Sequence, residues 1–192
     1  MPALLLVLII APLLGGCIGL AVGAVATSGV SIAEERSLGA QVDDLAVTFD
    51  ISQRFTQFNE TNENALAGVS LDVTEGRVLL TGNVAESHLR IEAVRLAWQA
   101  EGVVEVRNEI DVDEANAGST SLADIAISNE LRALLLFDSD VSKINFNVET
   151  VDRVVYITGI AKDDAELVRV LNHARTIAGV EEVVSYVRVL DG

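Results

Sequence analysis

A single cysteine, Cys17, stands among 192 residues. No intramolecular disulfide can form, and a zinc site of cysteine type is excluded. Basic residues are scarce as well: 13 Lys and Arg against 29 Asp and Glu leave a net charge of −16. The basic footprint that DNA or RNA binding requires is missing, so no nucleic-acid partner is expected. There are two histidines, His88 and His173, and no nucleophile-elbow serine, phosphate loop or His-Glu metal motif. Numerous carboxylates without such partners read as solvated faces. The expectation is a protein with no catalytic residues, no metal and no enzyme activity.

What is present is a repeat. Gly82 to Val112 returns at Gly159 to Val189 without a gap, pairing Gly82 with Gly159, Ala97 with Ala174 and Gly102 with Gly179. Val103, Glu105, Val106 and Val112 meet Val180, Glu182, Val183 and Val189. The shared pattern is a glycine, a helix-length segment, a second glycine and an alternating valine strand, which reads as two copies of one small module. The histidines do not share it, since Ala165 stands opposite His88 and Leu96 opposite His173. A repeat of roughly 65 to 70 residues is near the lower limit for a self-sufficient core, so each copy needs a packed sheet-and-helix layer. Charge divides unequally. Asp43 to Val112 carries 13 acidic and 5 basic residues, whereas Asp124 to Leu190 carries 11 and 7. The second copy repels an anionic surface less.

In the first copy, Val42, Leu45, Ala46 and Phe49 fall at helical spacing, with Asp43 and Asp44 suited to a helix start. Val69, Leu71 and Val73 alternate with Ser70, Asp72 and Thr74 as a strand with one wet face. Glu75-Gly76 predicts a hairpin turn into Val78–Thr81, and Gly82 ends that strand. A helix with Ile91, Val94 and Ala97 on one stripe, edged by Trp98, closes at Gly102. Val104, Val106, Ile110 and Val112 form the last strand. Residues 113–121 read as a flexible linker. In the second copy Ser121 or Asp124 caps a helix whose apolar stripe is Ile127, Leu131, Leu134 and Leu135, widened by Leu136 and Phe137. Ile144, Phe146 and Val148 alternate as a strand. Val154–Thr158 ends at Gly159, and Leu167, Leu171 and Ala174 mark the next helix, stopped by Gly179. Val183, Val187 and Val189 build the last strand. The predicted class is α+β: modules at 42–112 and 122–190, each helix-strand-strand-helix-strand, with two helices on a three-stranded mixed sheet. Gly82, Gly102, Gly159 and Gly179 are read as structural.

The widened stripe has two readings. Either two layers pack the helix from both sides, or Ile127, Leu131, Leu134, Leu135 and Phe137 form a lipid- or partner-binding patch.

Ahead of the modules, Ala3 to Leu14 is apolar apart from Pro12 and leads into Leu14-Gly15-Gly16-Cys17. The stretch 1–16 reads as an export signal, and the cysteine after Leu-Gly-Gly resembles the lipobox of bacterial lipoproteins. The resemblance implies a diacylglyceryl group with palmitate-type chains on the Cys17 thiol, cleavage before it and a tether over 17–41. Ile18 in place of an aspartate implies the outer membrane. The apolar run continues to Ala26, so an uncleaved span of roughly 20 residues stays open.

The double module, its element order and its paired glycines resemble BON domains of bacterial envelope proteins. Glu35 to Asp44 looks like the segment opening dual-BON outer-membrane lipoproteins, of the osmotically inducible periplasmic and phospholipid-binding types. Arg107-Asn108-Glu109-Ile110 resembles the last strand of their first module. The resemblance implies an anchor on the periplasmic face of the outer membrane and phospholipid contact by the second module. No cofactor is implied beyond the covalent lipid on Cys17, and envelope proteins are possible partners. Two positions depart from the family: Ala126 stands where relatives often place an aromatic residue, and Glu130 where they are often basic. Each missing basic residue gives up about 1 kcal/mol of attraction to anionic lipid. The alternative is a protein-interaction scaffold of an envelope complex that binds no lipid headgroup.

Overall fold

The computed structural model describes residues 38–190. The stretch read as an export signal, Cys17 and the part of the expected tether up to residue 37 lie outside the described residues. Two copies of one arrangement follow each other. The first runs α1 (Leu38–Thr61), β1 (Val69–Thr74), β2 (Arg77–Val84), α2 (Ser87–Ala97) and β3 (Glu105–Val112). The second runs α3 (Leu122–Phe137), a 3-10 turn (Lys143–Asn145), β4 (Phe146–Val151), β5 (Val154–Ala161), α4 (Asp164–Thr176) and β6 (Glu182–Val189). Each makes a three-stranded sheet in chain order. The middle strand runs antiparallel to the strand before it and parallel to the strand after it. The predicted α+β class and mixed sheets hold.

The cores are separate. Ile51, Leu80, Ala93 and Ile110 belong to one cluster, and Leu131, Ile157, Val170 and Ala174 to another. Each such aliphatic burial stabilises by roughly 1.5–3 kcal/mol, with alanine giving less.

The stripe read for α1 is corrected, and that for α2 at Ile91, whereas Val94 and Ala97 pack into the core as read. On α1 the buried line is Asp44, Val47, Ile51 and Phe55, while Val42, Leu45 and Phe49 are 64, 68 and 70 % exposed. On α2 the buried side chains are Leu89, Ala93, Leu96 and Ala97, and Ile91 and Trp98 face solvent. Apolar residues occur on opposite sides of both helices, so periodicity alone selects neither.

The first helix of each module also holds its hairpin. Glu75 and Gly76 both have positive φ, as do Asp152 and Arg153 in the second copy. This is the turn geometry that matches sheet twist. Asp44 accepts the amides of Glu75 and Gly76, each at 2.9 Å. Asp124 accepts those of Asp152 and Arg153, at 3.2 and 2.9 Å. Asp124 therefore does not cap α3; Ser121 does, accepting from the amides of Ala123 and Asp124.

Gly82 and Gly159 do not end their strands, which continue to Val84 and Ala161. Each lies on the helix-facing side at a point where the chain entering the preceding strand crosses over it. A Cβ on Gly82 would sit 1.9 Å from the Gly68 carbonyl oxygen, and one on Gly159 2.0 Å from that of Asn145. Gly102 and Gly179 follow α2 and α4 with φ of 90° and 91°. Ile144 is no strand residue; it projects from the 3-10 turn, exposed.

The linker is ordered by turns and not free. Asp113 accepts from the Ala115 amide at 2.9 Å and the Asn116 side chain at 2.7 Å, and Ser119 N–H donates to the Asn116 carbonyl.

The wet face expected on β1 meets the second sheet. Asp72 accepts from Asn147 at 2.6 Å and from the Thr158 hydroxyl. Tyr186 donates to Glu109, and Asn83 donates to Asp152 at 3.1 Å. Leu79, Tyr156 and Ile160, on the sheet faces away from the helices, are buried between the modules. Burial, then Glu109 and Asp111, push the Tyr156 phenol up to about 12.

Gly82→Ala and Gly159→Ala are each expected to lower stability by about 3–5 kcal/mol, because the neighbour to be displaced is backbone. Urea denaturation followed by circular dichroism measures this; a loss below about 1 kcal/mol would contradict the crossing.

Candidate functional site

The residues singled out for lipid or partner contact divide. Ile127, Leu131 and Leu135 are buried in the second core, and Leu134 is half-buried against it. A helix facing one layer buries one stripe, and these residues are that stripe. They are corrected to core positions. The widening residues remain at the surface: Leu136 is 60 % exposed and Phe137 86 %. Both stand in the last turn of α3, packed otherwise against β4, α4 and the 3-10 turn.

Asp138 and Asp140, in the loop after Phe137, hold side chains from α4 and the loop ahead of it. Asp138 accepts from His173 Nε2 at 2.7 Å and lies 3.7 Å from Arg169. Arg169 also reaches Asp140 at 3.0 Å, and Lys162 Nζ donates to the Asp140 carbonyl at 3.1 Å. The loop is fixed from below by buried Glu166, which accepts the amides of Ser142 at 2.7 Å and Lys162 at 2.8 Å. Two exposed apolar side chains thus stand directly ahead of a loop that holds Arg169, Lys162 and His173. Sequence reasoning had Phe137 but missed these residues, which come from another helix and from the loop ahead of it.

The hydrogen bond with His173, then the Asp140 amide, holds the Asp138 carboxyl below the usual carboxylate range. His88 instead lies exposed beside Glu86 at 3.2 Å. Among the described residues there is no cluster of three or more His, Cys, Asp or Glu able to hold a metal. No described helix is long and apolar enough to cross a membrane. Ala126 and Glu130 are exposed on α3.

Residues 51–114 and 123–191 each match the BON domain, and the chain belongs to the BON-domain family. A protein of Anaplasma centrale, named as an uncharacterized protein in the gshII 5′ region, is 36% identical over 149 residues, 77% of this chain and 95% of that one. The osmotically-inducible protein Y of Escherichia coli is 29% identical over 76% of this chain and 72% of its own length. The outer membrane lipoprotein DolP of Haemophilus influenzae is 26% identical over 93% and 91% respectively.

A carboxyl with a depressed folded-state pKa stabilises above its unfolded value and loses that contribution as pH falls through the lowered one. In a carboxyl NMR titration Asp138 should therefore titrate below an ordinary aspartate, and His173→Ala should move its midpoint upward. An unmoved midpoint would remove His173 as the main cause.

Proposed function

We propose that this chain is a lipid-anchored protein on the periplasmic face of the outer membrane, acting by contact and not by catalysis. In this reading Cys17 carries the acyl anchor and the second module touches phospholipid through the end of α3. The observation that carries it is Phe137, 86 % exposed beside Leu136 and directly ahead of a loop whose Asp138 and Asp140 hold Arg169, Lys162 and His173. An aromatic side chain enters the acyl boundary while neighbouring cations meet headgroup phosphates. The relatives named as an outer membrane lipoprotein and an osmotically-inducible protein support an envelope role. The contact surface is therefore the last turn of α3 and not its whole stripe, and it does not depend on an aromatic residue at Ala126 or a base at Glu130.

A second reading, a scaffold for envelope proteins, draws support from the outer face of α1. Val42, Leu45 and Phe49 form an exposed apolar line there, flanked by exposed Asp43 and half-buried Asp50. Those acids disfavour an anionic bilayer and suit a protein partner.

Vesicle flotation of residues 34–192 tests the first reading, because that span lacks Cys17 and the apolar stretch ahead of it and keeps both modules. Adding Leu136→Ser and Phe137→Ser should weaken association with phosphatidylglycerol vesicles about tenfold or more, the equivalent of losing one buried aromatic side chain. Equal flotation of the two proteins would reject the α3 contact. Flotation lost instead with Val42→Ser, Leu45→Ser and Phe49→Ser would place the contact on the first module.

A further inference from the structure

The seam between the two sheets opens at one side into a cleft of about 390 Å³ to which both modules contribute. In a chain of net charge −16, three guanidinium groups line it: Arg77 and Arg107 from the first module and Arg188 from the second. Two lining carboxylates serve all three. Glu75 pairs with Arg188 at 2.6 Å and with Arg77 at 3.1 Å. Glu105 pairs with Arg107 at 2.7 Å and with Arg77 at 3.5 Å. Each arginine side chain is close to half exposed in spite of these pairs. Arg107 also lies over the Tyr186 ring, 4.7 Å from its centre, and Glu109, the next acid along β3, accepts from the Tyr186 hydroxyl. Three guanidinium groups and two carboxylates thus line the cleft, with Glu109 behind Tyr186.

A second observation points the same way. Thr74 shares with Asp72 the β1 face turned to the second sheet and also lines the cleft. It is 7 % exposed, and its buried hydroxyl has no hydrogen-bond partner. An orphaned buried hydroxyl has given up its hydration without replacement and calls for a partner.

We propose that this cleft binds a phosphate-type oxyanion, bridging the modules through Arg77, Arg107 and Arg188 with the Thr74 hydroxyl as a further donor. A tetrahedral oxyanion offers oxygens to several guanidinium forks at once, which a planar carboxylate does so less well. The site is separate from the end of α3 and stands whether or not lipid binds there. The phosphate comes either from solution or from a lipid headgroup, and the chemistry of the cleft is the same for both.

Thermal unfolding of the full chain with inorganic phosphate, at ionic strength held constant with chloride, tests the site. The midpoint should rise saturably with phosphate. Arg107→Gln should weaken the apparent affinity about tenfold, the loss of a charge-assisted contact. Glu105→Gln, which removes a resident competitor, should tighten it several-fold, an outcome that a purely structural ion-pair network does not produce. Thr74→Val should raise the midpoint without phosphate and weaken phosphate binding. Phosphatidylglycerol vesicles that displace phosphate from the cleft identify a headgroup as the source; sn-glycerol 3-phosphate binding without vesicle competition identifies a soluble one. No saturable shift beyond chloride, or a shift unchanged in Arg77→Gln and Arg107→Gln, overturns the proposal.

Discussion

One carboxylate per module holds the arrangement together. Asp44 and Asp124, on the inner face of the first helix of each copy, each accept two consecutive amides from the tip of a two-residue turn. Those amides point away from the strand ladder and would be unpaired beneath a helix. The contact fixes the helix against one end of the hairpin. The crossing above Gly82 and Gly159 fixes the other end, near the entry to β1 and β4. A module with so few core side chains needs such pins, because burial alone leaves a small domain marginal. The second copy depends on its pin more, since Arg153 adopts a positive φ without being glycine.

With the helices placed on one face of each sheet, the other faces meet. That seam is mostly polar. Module one supplies the carboxylates Asp72, Glu75 and Glu109, and module two answers with Asn147, Thr158, Tyr186 and Arg188. Paired groups of this kind hold an orientation without adding much stability. The consequence for function is directional. Helix faces point outward, and the exposed apolar residues of α1 and α3 lie there, while the arginine cleft opens along the seam between the modules.

Much of this was legible in the residues. The repeat, the strand alternation apart from Val104 and Ile144, and the hairpin at Glu75-Gly76 appear where spacing put them, because period and turn chemistry are local properties. Three matters were not legible, each for a physical reason. Val42, Leu45 and Phe49 form as regular a stripe as Val47, Ile51 and Phe55, and only the sheet beneath decides which is buried. Asp152-Arg153 carries no glycine, so its turn depends on a carboxylate 28 residues earlier. Asp72 and Glu109 look like solvated positions until a second polar sheet lies over them. For the candidate site, Phe137 was visible as an excess apolar residue, whereas Arg169 and Lys162 joined it only through the fold.

The claim beneath all of this is that each module is a closed unit pinned by its own aspartate. Amide hydrogen exchange at Glu75, Gly76, Asp152 and Arg153 tests it most directly. Turn amides held by a carboxylate should exchange only with opening of the whole module, as slowly as the middle of β2 and β5. Exchange at the rate of an ordinary exposed hairpin tip in either copy would contradict the account.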